Sequence, residues 1–151
     1  MRVLLLAWGN PAREDDGLGP ALAAAVERWG LAGLTISSDY QLQVEDAADV
    51  AEHDLVVFVD AATEGAEPFA FTRVQPRAQA SFSSHSLRPE ALLGLASSCF
   101  QRAVPGWLLA IRGYSFAPFV EAPTPAAQAN LTAALDFLRG WLSSDERLGP
   151  R

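Results

Sequence analysis

Apolar residues in this chain come in short unbroken runs, and stretches of helical spacing lie between them. Val3–Trp8 is a continuous apolar run of the length of a strand buried on both faces. Gly9-Asn10-Pro11 breaks it, and a polar loop continues through Ala12-Arg13-Glu14-Asp15-Asp16-Gly17. Leu18, Leu22, Val26 and Trp29 recur at helical spacing with Pro20 in the first turn, which predicts a helix stopped by Gly30 or Gly33. Residues 34–40 read as a second strand and residues 44–52 as a short helix. Leu55-Val56-Val57-Phe58-Val59 is the clearest buried strand, and it runs directly into Asp60. Residues 69–74 alternate as an edge strand would. Pro89 suits the first position of a helix reaching about Phe100, and residues 107–111 form one more apolar strand. Thr124-Pro125 opens the last helix with Thr124 as its cap, and Leu131, Leu135, Leu138 and Leu142 share a face.

Strands alternating with helices predict an α/β chain with a mostly parallel sheet of about five strands, covered on both faces. A single domain over residues 1–142 is expected, with residues 143–151 as a tail. In such sheets ligands bind beyond the carboxyl ends of the strands. That rule directs attention to the loops that start at Gly9, Tyr40, Asp60 and Gly113.

Composition narrows the chemistry. The chain has 151 residues and a formal charge of −7, and all of its basic side chains are arginines. Without lysine there is no Schiff base and no phosphate-loop lysine. An acidic chain without a basic run repels a phosphate backbone, so no nucleic-acid partner is expected. No apolar run approaches a membrane span, and the opening segment lacks a signal peptide's cleavage site; a cytoplasmic protein is expected. Cys99 is the single cysteine, so neither an internal disulfide nor a cysteine metal cluster can form. Its small helical neighbours place it in the core.

The loop after the first strand sits where a dinucleotide fold keeps its phosphate loop. Its glycine spacing is wrong, and Glu14, Asp15 and Asp16 would repel a pyrophosphate. Carboxylates suit a cation instead, the plainer alternative being that Asp15 or Asp16 caps the helix. Asp60, at the end of a central strand, has a functional reading and a loop-capping one. His85 lies among serines just before a helix, and a lone loop histidine is most often only solvated. His53 precedes the third strand, at the opposite end of the sheet. Two carboxylates and one imidazole on different loops would form an open three-ligand site for a borderline divalent metal.

Gly9-Asn10-Pro11 with Asp15-Asp16-Gly17-Leu18-Gly19, then Val57-Phe58-Val59-Asp60-Ala61, then His85 ahead of Leu87-Arg88-Pro89-Glu90, and finally Ile111-Arg112-Gly113 form an ordered set of blocks. In these blocks the chain resembles the nickel–iron hydrogenase maturation proteases, from Arg2 to about Leu142. The resemblance implies a three-layer α/β/α sandwich, phosphorylase/hydrolase-like. It also implies an endopeptidase that removes the C-terminal extension of a nickel-loaded hydrogenase large-subunit precursor. Carried over residue by residue, the catalytic and nickel-contacting set is Asp16, Asp60 and His85, with Asp15 and Glu14 as neighbours that could stand in for Asp16. The nickel belongs to the substrate and is not permanently bound. Relatives work as cytoplasmic monomers. Several relatives carry Asp-Gly-Gly-Thr after the second strand where this chain has Asp39-Tyr40-Gln41-Leu42, so Tyr40 and Gln41 are expected to bind the precursor and to bear on which hydrogenase is served.

Tyr114-Ser115-Phe116-Ala117-Pro118-Phe119 is expected to flank the same edge, the alternative being that Phe116 and Phe119 tuck under their own loop. Two competing functions share parts of the pattern. Peptidyl-tRNA hydrolase also starts with a strand and Gly-Asn-Pro, but it needs a basic groove that this chain lacks. A non-catalytic metal-sensing chaperone that docks on a metalloprotein precursor would show the same ligand set.

Overall fold

The computed structural model describes residues 1–78 and 87–144. Five strands form one sheet: β1 (Val3–Trp8), β2 (Leu34–Asp39), β3 (Leu55–Ala62), β4 (Phe69–Val74) and β5 (Gly106–Arg112). Their spatial order is β2-β1-β3-β5-β4. All neighbours are parallel except β4, which lies antiparallel on β5 at the edge. Among the described residues four helices cover it: α1 (Leu18–Glu27), α2 (Asp46–Ala51), α3 (Pro89–Phe100) and α4 (Pro125–Leu142).

The unbroken apolar runs are explained by layering. In β1, Val3, Leu5 and Ala7 face one core while Leu4 and Leu6 face the other; in β3, Leu55, Val57 and Val59 oppose Val56 and Phe58. A strand with helices on both sides has no wet face, so it shows no polar alternation. The first core is closed by Leu22 and Val26 of α1 and by Leu131 and Leu138 of α4. The second is closed by Val50 of α2 and by Leu92 and Ala96 of α3. This is the expected three-layer α/β/α sandwich.

Four local expectations are corrected. The polar loop after β1 contains a 3₁₀ turn at Glu14–Gly17. Helix α1 ends at Glu27, so Trp29 belongs to the following turn, where Gly30 has φ of +63°. Cys99 is exposed, as are Ser97, Ser98 and Phe100, so burial on α3 ends at Ala96. Asp60 lies inside β3, not after it, because that strand runs on to Ala62.

The last correction shapes the site. β3 stays paired with β5 as far as Ala62, but its pairing with β1 ends at Val59 opposite Ala7. Asp60 therefore stands beside β1's last residue, where that chain turns away. β1 connects outward to β2, whereas β3 connects to the other side of the sheet. The divergence opens a crevice at the carboxyl ends of the two strands, the usual ligand position in open parallel sheets. Among the described residues no helix is long and apolar enough to cross a membrane.

Candidate active site

The crevice is built from the β1 loop upward. Gly9 turns the chain with φ of +141°, a conformation L side chains resist. A Cβ there would stand 2.0 Å from the Asp16 carbonyl oxygen, so only glycine lets the loop fold back on itself. The Gly9 amide donates to the Asp39 carbonyl at 3.1 Å, which ties the end of β2 to the loop. The Asn10 amide donates to Asp16 Oδ2 at 2.7 Å. Asp16 thus reaches back across the loop, and helix α1 has Gly17 as its N-cap and no side-chain cap. The capping reading of Asp15 and Asp16 is overturned.

Asp15, Asp16 and Glu14 have separate tasks. Asp15 is fully buried. Its carboxylate accepts the amides of Tyr114 (2.7 Å), Ser115 (3.1 Å) and Thr124 (2.7 Å) and the Thr124 hydroxyl (2.9 Å). Burial pushes its pKa up, but these donors outweigh burial and hold the group below the ordinary carboxylate value. Gly113 makes room for it, since a Cβ there would lie 2.8 Å from Asp15 Cβ. Glu14 accepts the Ser115 hydroxyl and, at 3.3 Å, the Ala117 amide. Both carboxylates are occupied in holding the loop after β5. Asp16 is the acidic side chain of the turn whose charge bears on Asp60.

Asp60 is half-buried and continues the face of β3 that carries Val56 and Phe58. Its pKa is pushed up to about 7. Desolvation is the main cause, and the nearby Asp16 charge adds to it. The Ala61 amide, the Arg88 guanidinium and the Trp8 indole N–H pull the other way without cancelling it. The Ala61 amide donates to Asp60 Oδ1 at 2.8 Å. The structure therefore brings Asp16 and Asp60 together across the gap between β1 and β3, although they are 44 positions apart in sequence. Two groups at this site escape the reading of the sequence alone: Trp8, the last residue of the first apolar run, and Arg88, the residue before Pro89. Trp8 had a signal, since it shares strand parity with Leu4 and Leu6 and sits level with Asp60.

His85 lies outside the described residues. The described residues by themselves contain no cluster of three His, Cys, Asp or Glu side chains able to hold a metal ion. Tyr40 and Gln41 are exposed just past β2, at the same edge of the sheet as the carboxylates. The Tyr40 amide donates to Asp39 Oδ1 at 2.7 Å. His53 is buried at the other end of the sheet, between the Asp49 carbonyl (2.6 Å) and the Thr35 hydroxyl (3.0 Å). The loop after β5 divides the two alternatives offered for its rings: Phe116 packs over Gly113, whereas Phe119 is 93% exposed.

No protein-family model and no curated protein matches the sequence. Solved structures match the fold over almost the whole chain. The NiFe hydrogenase maturation protease HycI from Thermococcus kodakarensis KOD1 superposes with a TM-score of 0.74 at 21% identity, covering 95% of this chain and 93% of that one. The hydrogenase maturating endopeptidase HybD from E. coli gives 0.73 at 19% identity, with 95% and 93% covered. A hydrogenase 2 maturation peptidase from Thaumarchaeota archaeon SCGC_AB-539-E09 gives 0.69 at 20% identity, with 95% and 99% covered. At these identities the likeness establishes the fold.

Proposed function

We propose that this chain is a hydrogenase maturation endopeptidase, a hydrolase that cuts the C-terminal extension from a nickel-loaded NiFe-hydrogenase large-subunit precursor. The observation that carries the reading is the paired Asp16 and Asp60 at the switch between β1 and β3, in a fold shared with proteins described as maturation proteases and endopeptidases. In this reading Asp16, Asp60 and His85 contact the nickel that arrives within the substrate, and the protein works in the cytoplasm as a monomer.

The chemistry fits the residues. Peptide hydrolysis needs a group that takes a proton from water and returns one to the leaving amine. A carboxyl titrating about pH 7 is matched to that task near neutrality. Two carboxylates with only weak cationic compensation also favour a cation delivered by the substrate, because it relieves the burial cost and the mutual repulsion together. Arg88 stands near Asp60, and its guanidinium favours the ionised carboxylate there. Tyr40 and Gln41, exposed at the same edge, are the candidate contacts for the precursor backbone.

The test is incubation with purified nickel-loaded precursor, followed by intact-mass measurement. Loss of the C-terminal extension supports the protease. A stable complex of unchanged mass would replace the reading with that of a metal-sensing chaperone.

A further inference from the structure

We infer that the loop after β5 is a preorganised docking element for the protein bearing the scissile peptide, with Phe119 as its anchor; the inference rests on the endopeptidase reading and adds to it the surface that grips the substrate.

Ala117, Pro118, Phe119 and Val120 are four consecutive apolar residues, and all four are exposed. Such a run on a surface is destabilising for solubility unless a partner covers it. The ring of Phe119 stands 93% exposed, while Phe116, three residues earlier in the same loop, found a place over Gly113. The socket at Gly113 is filled by Phe116, and Phe119 is left outside it. The Phe119 backbone adopts φ of +63°, a left-handed conformation that a bulky L residue rarely takes. Strain of that kind persists only where surrounding bonds impose it.

The surrounding bonds are present on both sides. The Val120 amide donates to the Ala12 carbonyl at 3.1 Å, and the Glu14 amide donates to the Val120 carbonyl at 2.8 Å. The Arg13 guanidinium reaches the Phe116 carbonyl at 3.4 Å, and the Asp15 amide donates to the Ser115 carbonyl at 3.0 Å. The ring is thus held out from a frame whose other half is the turn that carries Asp16. A partner seated on Phe119 is placed at a fixed offset from the crevice, which argues for the substrate protein as occupant. An exposed aromatic on a rigid loop loses little entropy on being buried, the usual profile of an interface hot spot.

The experiment uses the full chain and the purified nickel-loaded large-subunit precursor from the same organism. Precursor binding is titrated in an Asp60→Asn background, and processing kinetics are measured in the otherwise native chain. Phe119→Ala is expected to weaken binding at least tenfold and to raise KM by a similar factor with kcat unchanged. Phe119→Gly, which suits the left-handed backbone, is expected to keep or raise the Tm and to lose binding equally. If the parent chain processes the precursor and either variant binds it as tightly as the parent, the anchor is wrong while the endopeptidase reading stands. If the parent does not process it, the endopeptidase reading falls and this inference falls with it. Light scattering that shows a dimer dissociated by Phe119→Ala would instead assign the loop to a second copy of the chain and overturn the inference.

Discussion

Thr124 closes a chain of hydrogen bonds that begins on Asp15: its amide and hydroxyl donate to the Asp15 carboxylate at 2.7 and 2.9 Å, and its hydroxyl oxygen accepts the Ala127 amide at 3.3 Å. One buried carboxylate thereby fixes the turn that carries Asp16, the loop after β5 and the N-terminus of α4.

Asp15→Asn should therefore destabilise the fold by about 3 kcal/mol, since it replaces an ionic acceptor of four hydrogen bonds with a group that also presents donors to them. Urea unfolding at pH 7 measures this. The pH dependence follows from the lowered pKa. The stabilisation is complete above the unfolded-state value and is lost as pH falls through the folded-state value, in the acid region below about pH 4. The variant's deficit should shrink there; a deficit independent of pH would rule out the charge as its source.

For Asp60 the sign is opposite. The folded carboxyl keeps its proton to about pH 7, whereas the unfolded one loses it near 3.8. Between those values the folded state binds more protons, so stability falls as pH rises, at a slope of up to about 1.4 kcal/mol per pH unit. Asp60→Asn should lack this slope and be more stable than the parent at pH 7, yet process precursor at least about a hundredfold more slowly. Parallel denaturation curves for both proteins across pH 4 to 8 would expose the error.

Gly9→Ala places a methyl 2.0 Å from the Asp16 carbonyl oxygen at a φ of +141°. The turn must move, and if Asp16 acts as proposed, a displacement near 1 Å there should cost about a hundredfold in rate. Gly30→Ala is the comparison, since its φ is also positive but no atom lies within 4 Å of the added carbon. It should lower stability by about 1 kcal/mol and leave the rate alone. Equal kinetic effects from both would remove the steric argument.

His53→Ala should leave processing unchanged, because the residue sits at the far end of the sheet. It is not silent for folding. A buried ring between the Asp49 carbonyl and the Thr35 hydroxyl is lost, at a cost of about 1 to 3 kcal/mol. A thermal melt and a rate assay below the variant's Tm separate the two effects.

The layered fold was legible in the sequence because buried strands must be apolar on both faces, and Val3–Trp8 and residues 55–59 can be little else. The positions of Asp16 and Asp60 at one edge followed from the same rule. The division of labour among Glu14, Asp15 and Asp16 did not, since three adjacent carboxylates look alike until their donors are known. Those donors are backbone amides at 114, 115 and 124, which no side-chain pattern advertises. The fate of Cys99 was misread for a related reason. Helical spacing gives a face, but not the point along the helix at which burial ends. Phe116 and Phe119 parted company because Gly113 offers one socket, and adjacency in a loop does not say which ring takes it.

The bonds between Asp15 and Thr124 join positions 109 residues apart. During synthesis both carboxylates of the crevice emerge early, and the amides that fix the turn emerge late. A nascent chain of 100 residues would carry Asp16, Asp60 and the strands β1 and β3 that bear them, but not the amides at 114, 115 and 124 that anchor Asp15. The turn that carries Asp16 thus gains its anchor only once residue 124 has been made, long after both carboxylates.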